Sequence, residues 1–103
     1  MPISGNKAST LTIATITATD LQVEDLNRYQ ITFQVDDLGV NTALIEAQGP
    51  SGEWVTLTAA AADNAIEVIG AAGGAYYSAV RFTASAGTLT VYWTAVEKGT
   101  YWI

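Results

Sequence analysis

The chain contains no cysteine and no histidine. Without cysteine there is no disulfide framework, so folding does not require an oxidising compartment. The commonest general base and the commonest soft metal ligands are both missing, and neither a Ser-His-Asp nor a Cys-His arrangement can form. These two absences argue against an enzyme and predict a protein that works by binding.

Basic residues are also scarce, because the chain has four against ten acidic residues, for a net charge of −6. A nucleic-acid binder needs lysines and arginines gathered on one face to neutralise phosphates. Lys7, Arg28, Arg81 and Lys98 are instead scattered along the sequence. We therefore expect neither a nucleic acid nor an anionic membrane as the partner.

Long hydrophobic runs are missing as well. No apolar stretch approaches the roughly 20 residues that cross a bilayer. Residues 1–5 have neither the basic segment nor the apolar segment of a signal peptide, which predicts synthesis and folding in a cytoplasm.

What the sequence does contain is alternation of apolar and polar residues. The clearest run, at residues 29–36, sets Ile31, Phe33 and Val35 on one face and polar side chains on the other. Similar runs lie at 9–18, 42–48, 53–58, 65–69, 75–85 and 88–97. About seven short strands with turn signals between them predict an all-β domain over residues 1–103, a two-sheet antiparallel sandwich or a small jelly roll.

Several connections can be assigned within this scheme. The turn formers at 49–52 predict a hairpin between the third and fourth strands, and Ala86 and Gly87 form a turn before the last strand. Asp20 is a candidate cap for a short helix over residues 20–26, whereas 59–64 is ambiguous between a helical turn and a loop. Residues 1–8 are interpreted as a flexible N-terminal arm.

Carboxylates are the remaining candidates for chemistry. The adjacent pairs Asp36–Asp37 and Glu24–Asp25 do not converge on a substrate, because neighbouring strand residues point to opposite faces. Asp36, Asp37 and Asp63 could contribute to a calcium site, but their spacing favours a solvated acidic turn. No phosphate-binding loop is present. We expect no catalytic residues, no cofactor and no metal.

Aromatic side chains form the most informative group, with three tryptophans and five tyrosines. Phe33, Trp54, Phe82 and Trp93 lie in alternating strands and are expected in the core. At the end of the sequence, Lys98 and the two following residues interrupt the last strand, and three large apolar side chains follow. These three, together with Ile3 in the arm, are the predicted partner-binding residues: Tyr101, Trp102 and Ile103.

Two segments carry a family resemblance. Residues 45–57 read as a strand with Glu46, a glycine-containing turn, then Trp54 in a hydrophobic strand; residues 76–91 contain a tyrosine-bearing strand with Arg81, a small turn and a Thr/Val strand. The pattern resembles small β-sandwich virion proteins of tailed bacteriophages, of the head decoration or cement type. The turn departs from it, because the family usually has Asp-Gly or Asn-Gly where this chain has Gly-Pro-Ser-Gly.

The resemblance implies a structural virion protein, made in the host cytoplasm, that stabilises the capsid by contacts with the major capsid protein. It further implies a homo-oligomer, for which a trimer would fit decoration; a tail or baseplate protein is the variant that differs only in location. The shape is also similar to carbohydrate-binding sandwich modules. In that alternative an exposed stacking platform would be formed from Trp54, Tyr76, Tyr77 or Tyr92.

Overall fold

The computed structural model describes residues 3–8, 12–23, 26–69 and 77–97. Within these residues the chain forms eight strands, a four-residue helix and one turn of 3-10 helix. Their bounds, in order, are β1 (Ile3–Ala8), β2 (Ile13–Thr17), α1 (Ala18–Leu21), the 3-10 helix (Leu26–Arg28), β3 (Tyr29–Asp36), β4 (Ala43–Gln48), β5 (Trp54–Ala61), β6 (Ile66–Ile69), β7 (Ala79–Ala84) and β8 (Thr90–Glu97).

The strands form two antiparallel four-stranded sheets. Sheet A has the order β1-β8-β3-β6 and sheet B the order β2-β7-β4-β5. The predicted all-β, two-sheet sandwich is therefore confirmed. Two sheets pack because each has one apolar face that must be covered.

The N-terminal segment differs from the predicted arm. Residues 3–8 form β1, an edge strand of sheet A that pairs with β8 from Ile3 opposite Ala95 to Ala8 opposite Thr90. Local sequence offers no signal for this pairing, because its partner lies almost ninety residues away along the chain.

The core lies between the inner faces of the two sheets. At its centre Phe33 of β3 meets Phe82 of β7, with ring centroids 5.2 Å apart and planes inclined at 57°. Both side chains are completely buried, and Trp93 is 7% exposed, so three of the four aromatic residues expected in the core are there. Trp54, the fourth, lies on the outer face of sheet B.

The predicted hairpin is present. β4 and β5 pair antiparallel, and the Gly52 N–H donates to the Gly49 carbonyl oxygen at 3.0 Å. Gly52 has φ +86°, a backbone conformation that glycine adopts without strain. β5 continues through the ambiguous stretch to Ala61, which is buried, so no helical turn forms at residues 59–61.

The helix lies earlier than predicted. Thr17 precedes α1, and its N–H and hydroxyl both donate to the Asp20 carboxylate, at 2.9 and 3.0 Å. Asp20 therefore acts from the third helical position rather than as the cap itself. Gln22 follows with φ +58° and ends the helix. No helix in the described part of the chain is long and apolar enough to cross a membrane.

Candidate binding surfaces

Of the four aromatic residues considered for a stacking platform, the three that the structure describes lie apart from one another. Trp54 lies on the outer face of sheet B and Tyr92 on the outer face of sheet A. Tyr77 is partly buried and packs against the core, and Tyr76 lies outside the described residues. Trp54, Tyr77 and Tyr92 therefore lie on separate surfaces, so one platform can include only one of these three residues.

The outer face of sheet A carries two rows of side chains that cross all four strands. Register places residues of β1, β8, β3 and β6 side by side in each row. Ile66, Val68 and Tyr92 are 61%, 46% and 40% exposed, and every member of both rows is uncharged. The rows are Asn6–Tyr92–Gln34–Ile66 and Ser4–Thr94–Thr32–Val68, which together we name the sheet A face.

A shallow depression lies within the sheet A face. Its wall is formed by Thr32, Gln34, Ile66, Tyr92, Trp93 and Thr94. The Ser4 hydroxyl lies 3.2 Å from the Thr94 hydroxyl and extends the polar rim toward β1. The depression thus combines one exposed aromatic ring, one amide and several hydroxyl groups.

The outer face of sheet B has a different chemistry, dominated by three interacting side chains. Arg81 of β7 donates from Nε and Nη2 to the same Glu46 oxygen, at 3.0 and 2.8 Å. The Arg81 guanidinium carbon also lies 4.2 Å from the centroid of the Trp54 ring. Because the Arg81 and Glu46 side chains are only 30% and 14% exposed, this ion pair is partly shielded from water.

This cluster connects the strands of sheet B. Glu46, Arg81 and Trp54 come from β4, β7 and β5, so one guanidinium joins three neighbouring strands. All three residues occur in the segments that carry the family resemblance, yet their contact was not predicted. Trp54 lies outside the core because it pairs with Gln48 on the outer face of β4, and the Arg81 guanidinium covers its ring there.

We expect Arg81→Ala to lower the free energy of unfolding by about 1–3 kcal/mol, because it removes the stacking contact and leaves Glu46 without its charge partner. Chemical denaturation followed by tryptophan fluorescence would measure the change. The matched control is Arg28→Ala, which breaks the exposed Arg28–Glu97 pair and should cost less than about 1 kcal/mol. Equal losses in the two variants would contradict this role for Arg81.

The acidic residues considered for calcium are engaged in hydrogen bonds around the loop that follows β3. Asp36 accepts from the Asp37 N–H at 2.8 Å, Asp37 accepts from the Thr90 hydroxyl at 2.6 Å, and Asp63 accepts from the Leu38 N–H at 3.2 Å. Among the residues that the structure describes, no group of three or more acidic side chains is arranged to hold a metal ion. Glu24 and Asp25 lie outside them.

Of the four predicted partner-binding residues, Ile3 lies within the described part of the chain, at one end of sheet A. Ile3 is opposite Ala95 in the register, and β8 ends two residues later at Glu97. The chain therefore enters β1 and leaves β8 at the same end of the sheet, beside the Arg28–Glu97 ion pair, whose atoms are 3.1 Å apart. Tyr101, Trp102 and Ile103 themselves lie outside the described residues.

The fold and its surfaces define a two-sheet antiparallel β-sandwich, and solved structures share it. The SPBc2 prophage-derived protein YomS superposes with a TM-score of 0.59 at 14% identity, over 94% of this chain and 96% of that chain. AlgX of Pseudomonas aeruginosa gives a TM-score of 0.54 at 9% identity, over 93% of this chain but only 26% of AlgX. At these identities the likeness shows the fold alone.

Comparison by sequence finds no relative: no protein-family model matches the chain, and no curated protein matches it.

Proposed function

We propose that this protein is a non-catalytic structural component of a bacteriophage particle, and that it decorates the head by binding the major capsid protein. Two lines of support are independent of each other. The sandwich is shared over nearly the whole of both chains with a prophage-derived protein. The Glu46, Trp54 and Arg81 pattern, which resembles small virion sandwiches, comes together as one contact cluster.

The observation that carries the binding mechanism is the position of the start of β1 and the end of β8. Ile3 lies opposite Ala95, so these two strand ends lie side by side. Residues 101–103 can then act together with β1 as one contact region. Burial of a large apolar side chain in an interface contributes about 1.5–3 kcal/mol, so three such residues supply a substantial part of an association energy.

β1 offers a second type of contact at this end of the sheet. It is the edge strand of sheet A, and its outer side has no neighbouring strand among the described residues. An edge strand presents unpaired backbone N–H and carbonyl groups that another chain can pair with. Pairing of this kind between copies would support a homo-oligomer, and pairing with the capsid subunit would strengthen capsid binding.

Deletion of residues 101–103 is expected to abolish binding to capsids and to leave the sandwich folded, because the eight strands of the two sheets lie within residues 3–97. Binding would be measured by co-sedimentation with heads assembled from the major capsid protein of the same phage.

Light scattering of the intact chain would report its oligomeric state, which we expect to be trimeric.

A matched control for this deletion is Val40→Ser, which changes an apolar side chain that is 99% exposed at the opposite end of β3. This variant should bind heads as the intact protein does. Full occupancy of heads by the truncated protein would refute the proposed contact, and binding to purified tails instead of heads would assign the protein to the tail.

A further inference from the structure

The depression in the sheet A face is uncharged, which sets it apart in a protein with a net charge of −6. Its lining consists of hydroxyl, amide, aliphatic and aromatic groups. The described arginines lie elsewhere and are paired, Arg28 with Glu97 and Arg81 with Glu46. A phosphate or carboxylate ligand would therefore find no described cation here, and the acidic chain as a whole would repel it.

The depression has the dimensions of a small, flat ligand. It extends from Tyr92 on β8 across β3 to Ile66 on β6, which is two strand spacings or about 10 Å. Along β3 it includes Thr32 and Gln34, positions separated by roughly 7 Å. This area matches one or two sugar rings.

Tyr92 supplies an aromatic surface at one side of the depression. The residue is 40% exposed, which leaves part of its ring open to solvent. Aromatic rings stack against flat apolar surfaces, and the C–H face of a sugar is such a surface. Ile66 on the far side, 61% exposed, adds an aliphatic contact for the opposite edge of the ligand.

Between these two apolar groups lie hydrogen-bonding groups of both kinds. The Gln34 amide offers donors and an acceptor, and the Thr32 and Thr94 hydroxyls can each donate and accept. Sugar hydroxyls also donate and accept, so their chemistry complements this lining.

We propose that the depression binds a neutral carbohydrate, with Tyr92 stacking on one sugar ring and Gln34, Thr32 and Thr94 binding its hydroxyls. This activity goes beyond the proposed structural function. It uses the face of sheet A, whereas capsid binding uses the end of the sheet where the chain enters and leaves.

A titration of the ¹⁵N-labelled full chain would test this inference. The probes are cellotetraose, maltotetraose and triacetylchitotriose, with trigalacturonate as the acidic comparison. We expect at least one neutral probe to shift the backbone amides of residues 32, 34, 92 and 94 at millimolar concentration, and trigalacturonate to leave them unchanged.

Variants would assign the contact. Tyr92→Ala should weaken binding about tenfold or more, the loss that corresponds to removal of one stacking contact. Tyr92→Phe keeps the ring and should bind nearly as the intact protein does. Gln34→Ala should also weaken binding, because it removes hydrogen bonds to the sugar and leaves the Tyr92 ring in place. The matched control is Val55→Ala, which removes an exposed apolar side chain from sheet B and should have no effect.

Three results would overturn the inference: no amide shifts with any neutral probe, shifts confined to residues outside the sheet A face, or unchanged affinity in Tyr92→Ala. The amide spectrum of each variant without sugar shows whether it is folded, so misfolding would not be mistaken for lost binding. Head binding by Tyr92→Ala should be normal, which separates failure of this inference from failure of the capsid proposal.

Discussion

Replacement of Phe33 by alanine is expected to lower the free energy of unfolding by about 3–5 kcal/mol. Phe33 belongs to sheet A and its neighbour Phe82 to sheet B, so the pair joins the two inner faces at the centre of the sandwich. Neither side chain has any exposed surface. Truncation therefore removes apolar contacts and leaves a cavity that the two sheets cannot close without separating from their other contacts.

The total free energy of unfolding of a domain of this size is about 5–15 kcal/mol, so the expected loss is a large fraction of it. Equilibrium unfolding in urea would measure it, and an unchanged denaturant slope would show that the unfolded states are comparable. Phe82→Ala should cause a similar loss from the opposite sheet. Phe33→Leu keeps more of the volume and should cost less than Phe33→Ala.

The control for the Phe33 measurement is Val55→Ala, because Val55 is 60% exposed and its truncation should change stability by less than about 0.5 kcal/mol. If Phe33→Ala cost no more than this surface variant, the central position of the Phe33–Phe82 contact would be wrong.

The second large effect is expected at Gly5, where a valine should release β1 from sheet A. A Cβ atom at this position would lie 2.9 Å from three atoms of the Trp93 indole, Cε2, Cζ2 and Nε1. Trp93 is 7% exposed and packs in the core, so its ring has little room to move. β1 is an edge strand, and its separation from β8 is the less costly way to relieve the overlap.

Hydrogen exchange would detect this release. We expect the amides of residues 3–8 to lose protection, the core strands to keep theirs, and the free energy of unfolding to fall by about 1–3 kcal/mol. Asn6→Val is the matched control, because Asn6 is the adjacent residue and is exposed on the outer face of the same strand. Retained protection of β1 in Gly5→Val would refute the close packing of Gly5 on Trp93.

Local alternation accounts for the part of the fold that could be predicted. The bounds of β3 agree with the alternating run at 29–36, and Ile31, Phe33 and Val35 are all completely buried. In β8, Val91, Trp93 and Ala95 face inward as their spacing indicates. These predictions succeed because side chains in a strand alternate between faces whatever the strand pairs with.

Trp54 shows where alternation is insufficient. Alternation predicts that Trp54 and Leu57 lie on opposite faces of β5, and they do, since Leu57 packs against the core while Trp54 faces outward. Because both residues are apolar, alternation alone does not say which of them is in the core. Arg81, which lies against the Trp54 ring on the outer face, belongs to a strand that sequence order does not identify as a neighbour.

The candidate binding site was also predicted only in part. Tyr92 was predicted as part of a platform and does line a depression, but its neighbours there, Thr32, Gln34 and Ile66, come from β3 and β6 and were not predicted. Trp54 and Tyr77, named with it as alternatives, lie on other surfaces. Such a site is formed by strands that are neighbours in the sheet and distant in the chain.

By itself, the sequence determined that this is an all-β sandwich with an acidic surface and no histidine or cysteine chemistry, since composition and period-two alternation are local properties. Only the tertiary structure decided that β7 and β8, consecutive in the chain, belong to opposite sheets, and that β1 completes sheet A. Strand pairing depends on contacts between distant residues, and those contacts bring the start of β1 beside the end of β8 and place Tyr92 in a neutral depression.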